Sequence, residues 1–282
     1  MRRLWRRADP MRRVFSLLSV LCIVLLPAGA AHAADADALH KALAAEQTRP
    51  QANPYPRRDF LLQPSVAAVI LSPDGRHVAW LRKDAAGQVG LWLMDADSRK
   101  ARRLLRRTDA RRVHFSHDGH WLLLESARSL FAVALDGAQQ SRLVSTLGGR
   151  EQRRLIAVDP TRPAAVLMVE HDIRGSGHWQ LLRVTVSGKR KLLYQDAHEI
   201  SGFALAGKGH LAWVQRVEGD ALVSGRLDGE GRFQPVLRCG DLHVCRLLPV
   251  TDGAGAAWMI SNADADLAGL VLLHADASTT PV

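Results

Sequence analysis

The 282 residues include 38 Lys or Arg and 28 Asp or Glu, a formal charge of +10 with histidines neutral, and 47% of the chain is hydrophobic. This composition excludes a disordered or collagen-like chain. Three cysteines exclude a disulfide scaffold, and the lack of a long apolar run after residue 26 excludes a polytopic membrane protein.

The N-terminus reads as a leader. Arg12 and Arg13 precede an apolar stretch at 14–26, followed by Pro27, Gly29 and the small-x-small pattern Ala31-His32-Ala33. A signal peptide over residues 1–33, cleaved after Ala33, is expected. Either Met1 or Met11 could open it, and Leu21 before Cys22 argues against lipidation. Its removal takes away six arginines and one aspartate, leaving +5 over 249 residues. The expected destination is the periplasm, with no nucleic acid as partner and no transmembrane segment after removal of the leader. Cys239 and Cys245 then form an even pair in an oxidising compartment, so a disulfide across a short turn is expected.

Residues 34–48 are rich in Ala and Leu and read as a short helix or a frayed lead-in. Three prolines at 49–56 end it, so residues 34–56 are assigned to helix and linker.

From 57 to 282 the texture is one of short apolar runs divided by Asp-Gly and Gly-rich turns, the punctuation of strands and hairpins. The stretch VILSPDGRHVAW at 69–80 is answered by VHFSHDGHWLLL at 113–124, and weaker copies follow near 157, 203 and 248. In the turn, Ser72, Pro73, Asp74 and Gly75 correspond to Ser116, Asp118 and Gly119 of the second copy. Proline presets φ for a type I turn and glycine takes the positive φ that lets the next strand pair back. The recurrence, roughly 43 to 47 residues, is that of a four-stranded propeller blade. An all-β propeller with five visible blades is therefore expected, near 62–108, 109–150, 151–196, 197–238 and 239–282, and the repeats leave open whether the ring closes.

The lead-in Tyr55-Pro56-Arg57-Arg58-Asp59-Phe60, Gln63-Pro64 and LSPDGRHVAW at 71–80, with LWLMDAD from 91, resemble the opening of the propeller in prolyl-oligopeptidase-type serine peptidases. The resemblance implies a propeller that, in that family, sits over an α/β-hydrolase domain and restricts which peptides reach a Ser-Asp-His triad. The chain departs from the family in lacking Gly-x-Ser-x-Gly, the elbow that presents the nucleophile. Gly175-Ser176-Gly177 reads instead as a hairpin loop. No adjacent glutamate pair is present to hold a peptide amino terminus, so a dipeptidyl-peptidase reading is unsupported.

The remaining candidates have plainer readings. His114, His117 and His120 fall on a strand and around a turn, where their lone pairs diverge, so no metal is expected. The basic run at 99–112 reads as a solvated outer strand and connection. Trp80, Trp92, Trp121, Trp179, Trp213 and Trp258 are expected to pack between blades. No catalytic, metal or cofactor-binding residues are assigned. The expected role is an exported, non-catalytic propeller whose partner is a peptide or protein ligand or a missing hydrolase domain. The alternative is a periplasmic protein-interaction module similar to the Tol-system type.

Overall fold

The computed structural model describes residues 30–49, 65–136, 141–263 and 265–282. The peptidase-like lead-in at 55–64, most of the proline-rich linker and residues 1–29 of the expected leader lie outside these. Helix α1, Ala30–Thr48, begins before the expected start at 34 and runs through Ala31-His32-Ala33. It carries an exposed Lys41 Nζ to Asp37 Oδ2 pair at 3.2 Å. No helix among the described residues is long and apolar enough to cross a membrane.

The described residues from 65 to 282 form strands and their connections, with one 3-10 turn at Gly207–Gly209. Sheet one comprises β1 (Val66–Leu71), β2 (His77–Lys83), β3 (Val89–Asp95) and β4 (Ala101–Leu105). Sheet two comprises β5 (Arg112–Phe115), β6 (Trp121–Glu125), β7 (Ser129–Ala134) and β8 (Ser141–Thr146). Sheet three follows with β9 (Arg154–Val158), β10 (Ala165–His171), β11 (Trp179–Thr185) and β12 (Arg190–Asp196). Sheet four holds β13 (Ile200–Ala206), β14 (His210–Glu218), β15 (Ala221–Leu227) and β16 (Phe233–Cys239); sheet five holds β17 (Cys245–Thr251), β18 (Ala257–Ser261), β19 (Gly269–Leu273) and β20 (Thr279–Pro281). Within each sheet the strands pair antiparallel in sequence order. Sheets four and five differ from the expectation of separate units. Their first strands lie side by side, Leu205 pairs in parallel with Val250, and the two merge into one eight-stranded sheet.

The serine turns show why these strands reverse where they do. Ser72 Oγ donates to Asp74 Oδ1 at 2.6 Å and accepts from the His77 N–H at 2.8 Å, while Gly75 takes φ +74°. In the second copy Ser116 Oγ donates to Asp118 Oδ1 and accepts from the Trp121 N–H at 3.0 Å, with Gly119 at φ +71°. Both serines are buried, so each hydroxyl satisfies polar groups that water cannot reach. After β9 the chemistry is reversed. Asp159 occupies the serine's place, and its Oδ1 accepts from the Thr161 N–H and Oγ1 at 2.8 and 2.6 Å.

A strand whose two faces are both covered loses the apolar-polar alternation, as in WLLLE of β6. Leu122 and Leu124 join Ala79, Leu81, Leu91 and Leu93 in a core between sheets one and two. Leu123, on the other face, joins Leu130, Val166, Met168 and Val184 between sheets two and three. A third core sets Leu167, Val169 and Leu181 against Phe203, Leu205 and Val214. The fourth sets Ala204 and Trp213 against Leu247, Ala257, Met259 and Leu273 of sheet five. Each core thus belongs to two consecutive sheets, and each large side chain buried in it contributes about 1.5–3 kcal/mol.

The tryptophans divide accordingly. Trp213 and Trp179 are buried between sheets and Trp121 packs against the second core. Trp80, Trp92 and Trp258 join no core among the described residues, contrary to the expectation that all six pack between units. Their sheets are the first and last, and among the described residues each shares a core with one other sheet.

Candidate functional site

Two arginine pairs occupy matching places in the repeat. Arg111 and Arg112 lie at the start of β5 and Arg153 and Arg154 at the start of β9, so the packing of sheet two on sheet three brings the four side chains around one cavity of about 390 Å³. Glu125, Ser126 and Ala127 at the β6–β7 turn and Leu147-Gly148 after β8 complete its wall. That volume falls in the range of small-ligand sites.

Carboxylates hold part of this charge in place. Arg153 Nε lies 2.5 Å from Glu170 Oε2, and its Nη1 donates to Thr146 Oγ1 at 2.6 Å. Arg190 shares the same Glu170 oxygen. Arg154 Nη2 donates to the Ile200 carbonyl at 2.7 Å and pairs with Glu199 at 2.8 Å, while its guanidinium carbon sits 5.4 Å from the Trp179 ring centroid. Arg112 meets Glu125 at 3.6 Å, a loose pair that leaves donors for another acceptor. The cavity is thus lined by four guanidinium groups and one carboxylate, Glu125, and with Glu170 and Glu199 set against Arg153 and Arg154 the remaining excess favours an anion with planar oxygen geometry, such as a carboxylate.

A second polar cluster bridges sheets three and four. Tyr194 Oη donates to Asp196 Oδ2 at 2.6 Å, and Arg216 Nη1 reaches the same oxygen at 2.9 Å. The His198 N–H and ring nitrogen approach Asp196 Oδ1 at 2.8 and 2.9 Å. Burial alone would raise the Asp196 pKa, but the hydrogen bonds from Tyr194, His198 and Arg216 outweigh it and hold the carboxyl at about 2. Burial, and then the bond to Asp196, push the Tyr194 phenol up. These groups hydrogen-bond one another around the Asp196 carboxylate.

The residues singled out in the sequence fall in turns, strands and loops. The turn residues Ser72, Pro73, Asp74, Gly75, Ser116, Asp118 and Gly119 shape hairpins between first and second strands. Cys239 at the end of β16 and Cys245 at the start of β17 are joined as a disulfide, with Cα atoms 6.3 Å apart. His114 faces Glu125 at 3.2 Å, His120 faces Asp118 at 3.3 Å and His117 is exposed, so the three diverge. Gly175-Ser176-Gly177 lies in the β10–β11 loop, where Asp172 accepts from the Gly175 and Ser176 N–H groups. The basic side chains of the run at 99–112 are exposed, as expected for an outer strand and its connection, with Arg102 donating to the Leu135 carbonyl and Arg103 lying over Trp92.

No protein-family profile and no curated protein sequence matches the chain. Solved structures do. Dipeptidyl peptidase 4 of Porphyromonas gingivalis superimposes over 78% of this chain and 39% of its own, at 14% identity and a TM-score of 0.50. A puromycin-hydrolyzing peptidase of Mycobacterium tuberculosis does so over 77% and 36%, at 18% identity and a TM-score of 0.53. The fold is shared with prolyl-oligopeptidase-type peptidases. This chain spans less than two fifths of those peptidase chains. An oligogalacturonate lyase in complex with manganese also matches, over 75% of this chain and 63% of its own, at 15% identity and a TM-score of 0.50. One architecture thus serves different chemistries, and its presence alone assigns none.

Proposed function

We propose that the chain is an exported β-propeller comparable to the substrate-gating part of prolyl-oligopeptidase-type peptidases, that its five sheets are blades with their first strands innermost, and that it binds peptides without cleaving them. The sharing of every core between consecutive four-stranded sheets carries the propeller reading, since it is the packing by which blades stack around an axis. The sequence supplies the second support, having no Gly-x-Ser-x-Gly from which a serine could attack an amide. On this reading the arginine cavity captures a peptide carboxylate. Arg111 and Arg112 are the residues with donors to spare, while Arg153 and Arg154 are fixed by Glu170 and Glu199.

Calorimetric titration with short peptides tests the reading. Free-acid peptides are expected to bind, C-terminally amidated ones to bind at least tenfold more weakly, and Arg111→Ala/Arg112→Ala to remove the difference. Equal binding of both peptide forms defeats the carboxylate assignment. Chromogenic peptide amides and a fluorophosphonate probe are expected to give neither turnover nor labelling, and turnover that copurifies with the chain defeats the non-catalytic role. Fusing residues 1–33 to a reporter enzyme that is active only after export tests the leader.

A further inference from the structure

Sheets one and five each keep one face outside every core among the described residues. On sheet one, Trp80 and Trp92 are cross-strand partners whose rings stack 6.3 Å apart, on the face opposite Ala79, Leu81, Leu91 and Leu93. Arg82 and Arg103 lie 5.7 and 5.8 Å from the Trp92 centroid. In the next row, Leu71 pairs with Val78 and Val78 with Met94, and Leu71 is 62% exposed. On sheet five, Trp258 pairs with Leu272 and Ile260 with Leu270, opposite the Met259 and Leu273 that face sheet four. Leu270 is 40% exposed. In sheets two to four, rows of this kind are covered by a neighbour.

Charge distinguishes the two ends. Residues 65–108 carry nine Lys or Arg against four Asp, whereas residues 241–282 carry one Arg against five Asp. The arginines over Trp92 make the first face basic at its centre, and Asp252, Asp266 and Asp276 stand in the loops bounding the strands of the last.

We infer that these faces dock on each other between two copies of this chain, sheet one of each against sheet five of the other. Both halves of the match are present on a single chain: apolar rows of similar make-up, one framed by arginines and one by aspartates. A sheet-one face set against another sheet-one face would oppose arginine to arginine, so the pairing is reciprocal, with sheet one on sheet five at both junctions. Each junction would repeat the sheet-on-sheet packing that the four internal cores already use.

Sedimentation and light scattering of the full chain, followed against concentration, test this. A dimer is expected, weakening as salt is raised. Trp92→Glu or Trp258→Glu, and more mildly Arg103→Glu, should each shift it to monomer while circular dichroism keeps the β spectrum of the parent, since none of these side chains lies in a core among the described residues. Mixing the Trp92→Glu and Trp258→Glu proteins should restore association through the one junction that remains intact. A monomer at the highest soluble concentration overturns the inference. So does a dimer indifferent to all three substitutions, or one in which the mixture associates no better than its components.

Discussion

Asp159 is fully buried, and its charge is met by Arg183, whose Nε lies 2.5 Å from Oδ2 and whose Nη2 donates to the Gly209 carbonyl at 3.1 Å. The carboxylate therefore closes its own turn after β9 and, through Arg183, ties sheet three to the β13–β14 turn of sheet four. Asp159→Ala leaves a buried guanidinium without its counter-ion, and a loss of about 3–5 kcal/mol in denaturant unfolding is expected. Ser116→Ala removes one donor and one acceptor from a buried turn and is expected to cost about 1–3 kcal/mol. A result in which Ser116→Ala costs more than Asp159→Ala would contradict this ranking. Asp196 gives a pH signature. Its folded pKa of about 2 lies below its ordinary 3.8, so its contribution is complete above about pH 4 and is lost as pH falls through about 2. Melting temperatures measured between pH 4 and pH 2 should fall less steeply in Asp196→Asn than in the parent, and parallel slopes would exclude the assignment.

At the level of elements, what the sequence showed depended on where the signal was written. Ser72-Pro73-Asp74-Gly75 and its second copy are legible because a turn imposes its own residue types locally. The turn after β9 is a weaker copy because donor and acceptor have exchanged places, threonine serving for serine. The arginine cavity was missed, since residues 42 apart in sequence meet only once sheets two and three are packed; two Arg-Arg pairs at one phase of the repeat were the available signal. Trp80, Trp92 and Trp258 were misjudged for a different reason: a strand's pattern shows that a face is apolar but does not show whether another sheet covers it. Gly225 supplies an element-level test. An added Cβ would come within 2.5 Å of both the Gln234 carbonyl oxygen and the Phe233 ring. Gly225→Ala should therefore push β16 from β15 and cost about 1–3 kcal/mol, measured by chemical denaturation; a neutral result would show that the Phe233 ring and β16 yield freely.

Over the whole molecule, stability should be graded. Sheets two, three and four are each held by two cores, while sheets one and five are held by one, so their opening costs are set by nearest neighbours. Amide hydrogen exchange measured on the monomeric Trp92→Glu protein is expected to be slowest in β6, β10 and β14 and faster in β2 and β18. Uniform protection across all five sheets would mean that the body opens only as one unit. The covalent link between Cys239 and Cys245 acts at one of the weak ends, since it fastens the start of sheet five to the end of sheet four.

That staple has a mechanical corollary. Tension applied to the two ends of the β body should detach outer sheets before inner ones, giving a staircase of separate releases in place of a single rupture. With the thiols oxidised, the short span between Cys239 and Cys245 is withheld from the extended length, so adding a reductant should lengthen the force trace by that span alone.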